Sequence, residues 1–153
     1  MTVEMVSTAE RTLQGREFAA LYAEVQQFYA LQMQILDVHD TERWAGTFTE
    51  DAVVELPSLH RPVPARAGLA RYERAGAAAQ RRAGSPLSHW VGMLDVRPRA
   101  DGSLHTRCSA LVCATPTGGS SKVLYVCVME DVLVRSRGEW RIAHRRVIRD
   151  DLA

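Results

Sequence analysis

The chain has 153 residues, of which 46% are hydrophobic and 24% charged, with a formal net charge of +1. That is the size and make-up expected of one globular domain with one core. A charge so near zero provides no long-range field to gather nucleic acid or anionic lipid, and no stretch approaches the ~20 apolar residues of a membrane span.

Residues 1–15, MTVEMVSTAERTLQG, carry neither a basic leader nor an apolar secretory segment. They are expected to form a flexible N-terminus ahead of a single domain over 16–153. From Arg16 to Asp37 the apolar residues Phe18, Leu21, Tyr22, Val25, Phe28, Tyr29, Ile35 and Leu36 recur at the spacing of an amphipathic helix. Gln32 is a polar residue inside that stripe. Asp40 is placed to cap a short second helix carrying Trp44 and Phe48 one turn apart. EDAVVELP (50–57) reads as a strand stopped by Pro57, and 58–66 as a loop. The alanine-rich stretch 67–83 predicts a helix ended by Gly84. Four strand-like runs follow, 87–97, 104–114, 122–136 and 139–149, joined by segments with hairpin turn chemistry. Helices first and an antiparallel meander last define an α+β fold. The third run, KVLYVCVMEDVLV, is apolar on both faces, so it should be covered twice, which points to a homodimer.

The three cysteines, Cys108, Cys113 and Cys127, have no CxxC spacing. They read as packing thiols in a reducing, cytoplasmic setting rather than as a disulfide frame. The sequence holds no zinc-type Cys/His cluster and no HExxH pair, and TPTGGSSK (115–122) lacks the features of a P-loop. No cofactor is expected, which leaves the chemistry to side chains.

The pattern QFYALQMQILDVHDTERWAGTFTEDAVVEL, followed by the His-led strand LSHWVGMLDV and then GEWRIAHRRVIRDD, resembles the nuclear-transport-factor-two-like superfamily. Within it, the SnoaL-like and scytalone-dehydratase-like branch is the most similar, a group including small proteins of actinomycete aromatic-polyketide pathways. The resemblance covers about residues 16–151. It implies a cone, with a curved antiparallel sheet wrapped around N-terminal helices and the open end serving as a ligand pocket (the cystatin-like barrel). It also implies that Asp37 and His89 occupy the positions of the dehydratase's facing acid and strand histidine, and that Cys127 and Met129 line the pocket, with Asp131 on the same face. The dehydratase's second histidine corresponds to Ala114 here, and its two water-holding tyrosines to Leu36 and Leu56, which makes this pocket greasier.

A histidine backed by a carboxylate can accept a proton and return it near neutral pH. In a water-poor cone the pair can remove a proton beside a carbonyl and then protonate an oxygen leaving the next carbon, or it can steer a ring closure. The catalytic candidates are therefore His89, Asp37 and Asp131, and the candidate substrate contacts are Tyr22, Tyr29, Gln32, Trp44, Leu56, Ala114, Cys127, Met129 and His144. Each has a plainer reading. Asp37 can cap the next helix, His89 can bond to backbone at a strand edge, and Asp131 can pair with an arginine of the last strand. The aromatic residues can be core. His144 shares strand phase with Trp140 and Ile142 and should face inward, either to the pocket or as a satisfied core histidine. His39, His60 and His105 are expected to be solvated. These features favour a cofactor-independent cyclase or dehydratase acting on a small aromatic or polycyclic polyketide intermediate. The alternatives are an assembly subunit like the β subunits of ring-hydroxylating dioxygenases and, on Asp37 and Asp131, an epoxide hydrolase.

Overall fold

A computed structural model describes residues 2–152, with side chains from residue 15 onward. The elements in order are α1 (Thr2–Asp37), α2 (Thr41–Ala45), β1 (Phe48–Glu55), β2 (Val63–Pro64), α3 (Ala65–Ala83), β3 (Leu87–Pro98), β4 (Leu104–Ala114), β5 (Lys122–Ser136), β6 (Glu139–Arg149) and a 3₁₀ turn, Asp150–Leu152. The flexible N-terminus expected over 1–15 falls on a stretch whose side chains, up to residue 14, lie outside the described ones.

The sheet has six strands in the order β2-β1-β6-β5-β4-β3. The last four form the antiparallel meander that the turn chemistry predicts. β1, however, pairs with β6 in parallel and with β2 antiparallel, so the sheet is mixed rather than wholly antiparallel. The short β2, inside what reads as loop in the sequence, hands the chain to α3. That helix then carries it from one edge of the sheet to the other, where β3 begins. α3 ends on Gly84, whose φ of 63° gives the left-handed cap that glycine adopts at little cost. No described helix is long and apolar enough to cross a membrane.

Strand alternation sets the inner face of the sheet. Along β4 the even-numbered residues from Leu104 to Ala114 are buried, and along β5 Cys127, Met129, Asp131 and Leu133 are. α1 lies in this concave face through Val25, Tyr29 and Met33, four residues apart and therefore on one side of the helix. Phe48, Leu133 and Ile142 close the core beneath it at 0% exposure, each contributing roughly 1.5–3 kcal/mol of transfer free energy. Trp44 packs edge-on against Phe48, with ring centroids 5.0 Å apart.

Two irregularities bend the sheet. β3 shifts register between Gly92 and Asp95, where Met93 adopts a φ of 54° and stands out in solvent. β6 shifts between Ile142 and His144 against β5. On the convex side, Trp90, Leu111 and Val126 sit opposite one another on β3, β4 and β5 and are all exposed.

Candidate active site

The open end of the cone holds a cavity of about 480 Å³. Its walls come from the end of α1 (Met33, Leu36), from Trp44 of α2, from α3 (Leu69, Glu73), and from the inner sheet face (Cys127, Met129). Leu56 lines it as well. The wall is mostly apolar with a few polar groups, the usual make-up of a small-molecule site.

His89 is one of those groups. β3 is an edge strand, so its outward N–H groups have no ladder partner. The last residue of α1 covers one of them. Asp37 accepts the His89 backbone N–H with both carboxylate oxygens at 3.2 Å, and its Oδ1 lies 2.7 Å from His89 Nδ1. One carboxylate thus anchors the strand edge and orients the ring. His89 is on the cavity wall with Asp37 behind it, the arrangement that the resemblance implies. Capping of α2 falls to Asp40, which accepts the Arg43 N–H at 3.3 Å. Asp37 is therefore free of the plainer role open to it.

A second polar system lies at the base. Arg145 donates from Nε to Asp131 Oδ1 at 2.9 Å, and from Nη2 to Asp131 Oδ2 at 3.0 Å and Gln32 Oε1 at 2.8 Å. Gln32 Nε2 donates to Thr47 Oγ1 at 2.8 Å. The Tyr29 hydroxyl donates to Asp131 and stands 2.7 Å from Thr106 Oγ1. Gln32, odd within its apolar stripe, is thus spent on a buried network. Asp131 has taken the arginine partner and lies off the cavity wall, as do Tyr29 and Gln32. Burial pulls the Arg145 guanidinium down, but the charge and hydrogen bonds of Asp131 outweigh it and leave it above its ordinary value. Burial, then the Asp131 charge, drives the Tyr29 hydroxyl well above its own and the Cys108 thiol up to about 12. Cys108 is a packing residue.

Of the remaining candidates, Trp44, Leu56, Cys127 and Met129 reach the cavity. Three do not. Tyr22 turns its hydroxyl to the Leu94 carbonyl at 2.9 Å. Ala114 is off the cavity wall, although its strand partner Leu87 is on it. His144, expected to face inward, instead meets Glu55 at 2.9 Å and is half exposed. The cause is the β6 irregularity. Because Ile142 and Arg145 are both buried, three apart instead of two, the inward phase changes hands between them, sending His144 out and Arg145 in.

Sequence reasoning missed several polar features of the cavity, Tyr125 and Arg149 on its sheet side among them, and four others bear on the chemistry. Arg145 is one. Another is a second histidine–carboxylate pair, His39 Nδ1 to Glu73 Oε1 at 3.2 Å, with the Thr41 hydroxyl also on Glu73; both His39 and Glu73 line the cavity. His39 is therefore paired and only partly exposed, whereas His60 is exposed and His105 lies beside Arg99 at 3.3 Å. The last two are Trp44 Nε1 and Gln80 Oε1, buried polar atoms with no partner among the described residues, on residues that line the cavity. An unpaired buried donor or acceptor is costly unless something meets it.

A curved sheet closed by helices over a greasy hollow, with an oriented imidazole in its wall, defines a cone-shaped ligand-pocket protein of the nuclear-transport-factor-two-like kind. More narrowly, the profile of the SnoaL-like domain matches residues 17–146, and the chain belongs to that family. Aln2 from a Streptomyces species is 35% identical, with a TM-score of 0.80 over 87% of this chain and 93% of its own. A protein from Catenulispora acidiphila, solved in complex with S-DNPA, is 34% identical, with a TM-score of 0.75 over 87% and 96%. An NTF2-like protein with a cystatin-like fold from Novosphingobium aromaticivorans is 20% identical, with a TM-score of 0.73 over 95% and 88%, and shares the fold. No curated protein matches the chain at a significant level.

Proposed function

We propose that this protein is a cofactor-independent cyclase or dehydratase that uses His89 as general base and acid on a small aromatic or polycyclic polyketide intermediate. The observation that carries the reading is the 2.7 Å pairing of His89 Nδ1 with Asp37 at the wall of an apolar cavity. Asp37 holds the ring in one orientation and supports the positive charge that develops as the other nitrogen takes a proton. The unpaired Trp44 N–H is suited to an oxygen of the ligand. The complex of a 34%-identical relative with S-DNPA is consistent with a small-molecule occupant. A second copy of the chain is the proposed cover for the apolar convex ladder of Trp90, Leu111 and Val126. The epoxide-opening alternative needs Asp131 at the ligand, and Asp131 is committed to Arg145 away from the cavity wall. An assembly subunit would need no oriented imidazole.

The test is exchange of the protons beside the carbonyl of 2-tetralone in D₂O, followed by NMR. The wild-type protein should accelerate exchange, and His89→Gln and Asp37→Asn should each lose about 10²–10⁴-fold while melting close to the wild type. Equal exchange by wild type and both variants would remove the mechanism.

A further inference from the structure

α1 and α3 each end on a left-handed residue, but the residues differ. At the end of α3 the left-handed position is Gly84, at φ 63°. At the end of α1 it is His39, at φ 58°. The flanking bonds, His39 N–H to the Leu36 carbonyl at 3.0 Å and Asp40 N–H to the Ile35 carbonyl at 3.2 Å, are those of a Schellman turn. Glycine is the usual occupant because a side chain there costs about 1 kcal/mol or more. A histidine held in that conformation points to a use for its ring. The left-handed turn brings the imidazole to Glu73, a carboxylate 7% exposed that also accepts from Thr41. Histidine and glutamate both line the cavity that holds His89.

We infer that His39, positioned by Glu73, is the second proton-transfer group of this cavity, and that the substrate is a β-hydroxy ketone from which it protonates the departing hydroxyl. The inference rests on His89 acting as the general base proposed above, and it assigns the acid step to His39 instead. The C–H bond beside the carbonyl breaks toward His89, and its electron pair forms the new C=C bond. The C–O bond then breaks, and the proton from His39 turns the leaving oxygen into water. Solvent afterwards returns one proton to His39 and takes one from His89. With two imidazoles, removal and delivery of protons need not pass through one nitrogen.

The test uses 3-hydroxy-1-tetralone, which becomes 1-naphthol on losing water, and its 3-acetoxy ester, whose acetate leaves without needing a proton. His39→Asn is the principal variant, since asparagine tolerates the left-handed backbone and can still donate to Glu73. His39→Gly, the residue the turn favours, is the second. Both should lose water elimination by about 10²-fold or more and hold acetate elimination within about threefold of wild type. Loss of both eliminations alike, or of neither, would overturn the role of His39. A wild type inert on both compounds, or a His89→Gln variant as fast as wild type on the ester, would overturn the His89 reading itself.

Discussion

Replacing Arg145 by methionine isolates the energetics of the buried network. The guanidinium is 6% exposed and makes two bonds to Asp131, whose side chain is 0% exposed, and one to Gln32. Its removal leaves a carboxylate in the core with only the Tyr29 hydroxyl, and breaking such a pair costs about 3–5 kcal/mol. Against a total stability of roughly 5–15 kcal/mol this is a large share. At about 2–4 °C per kcal/mol for a chain of this size, the melting temperature should fall by about 6–20 °C. The paired variant Asp131→Leu, Arg145→Met removes both charges together, and Tyr29 keeps its bond to Thr106. It should recover most of the loss, because a buried ion pair is often replaceable by apolar side chains of similar volume. Calorimetry at neutral pH gives all three melts. A single variant melting within about 2 °C of wild type, or a double variant worse than the single, would refute the claim that Arg145 serves chiefly to neutralise Asp131.

The Cys108 thiol is pushed from its ordinary 9.0 up to about 12 in the folded state. Its contribution to stability is therefore whole below pH 9 and is lost as pH rises toward 12, because the unfolded chain gives up the proton first. Urea titrations of wild type and Cys108→Ala should converge over that window, and curves that stay parallel would contradict the burial argument. Trp90→Glu, on the convex ladder, should convert a dimeric protein to a monomer by light scattering without altering 2-tetralone exchange. A wild type already monomeric at high micromolar concentration would show that this face has no second copy.

The helices and the meander were legible because each rests on local signals, except that Phe48, expected one turn after Trp44 on the second helix, opens β1 instead. The four-residue stripe of α1, the glycine after α3 and the strand alternation of β4 are all written in adjacent residues. Asp37 and His89 were legible for a different reason, since family resemblance supplied a partner that lies 52 positions away. What escaped were events of register and long-range pairing. The phase of β6 reads as continuous from Trp140 to His144, and nothing in the letters marks the irregularity that turns Arg145 inward. The parallel pairing of β1 with β6 depends on where the sheet closes rather than on either strand's own pattern. His39 reads as a loop residue until the turn ending α1 is known to be left-handed, and its partner Glu73 is on a helix 34 residues later.

The irregularity at Met93 bears on how copies of this molecule can meet. An open strand edge is a template onto which another chain can add its backbone, the first step toward ribbons and fibrils. Here Asp37 occupies one stretch of that edge, and the kink at Met93 breaks the straight run of free amides farther along. Backbone zippering is discouraged on that side, which leaves flat side-chain surfaces as the means of self-recognition and favours closed assemblies over endless ones.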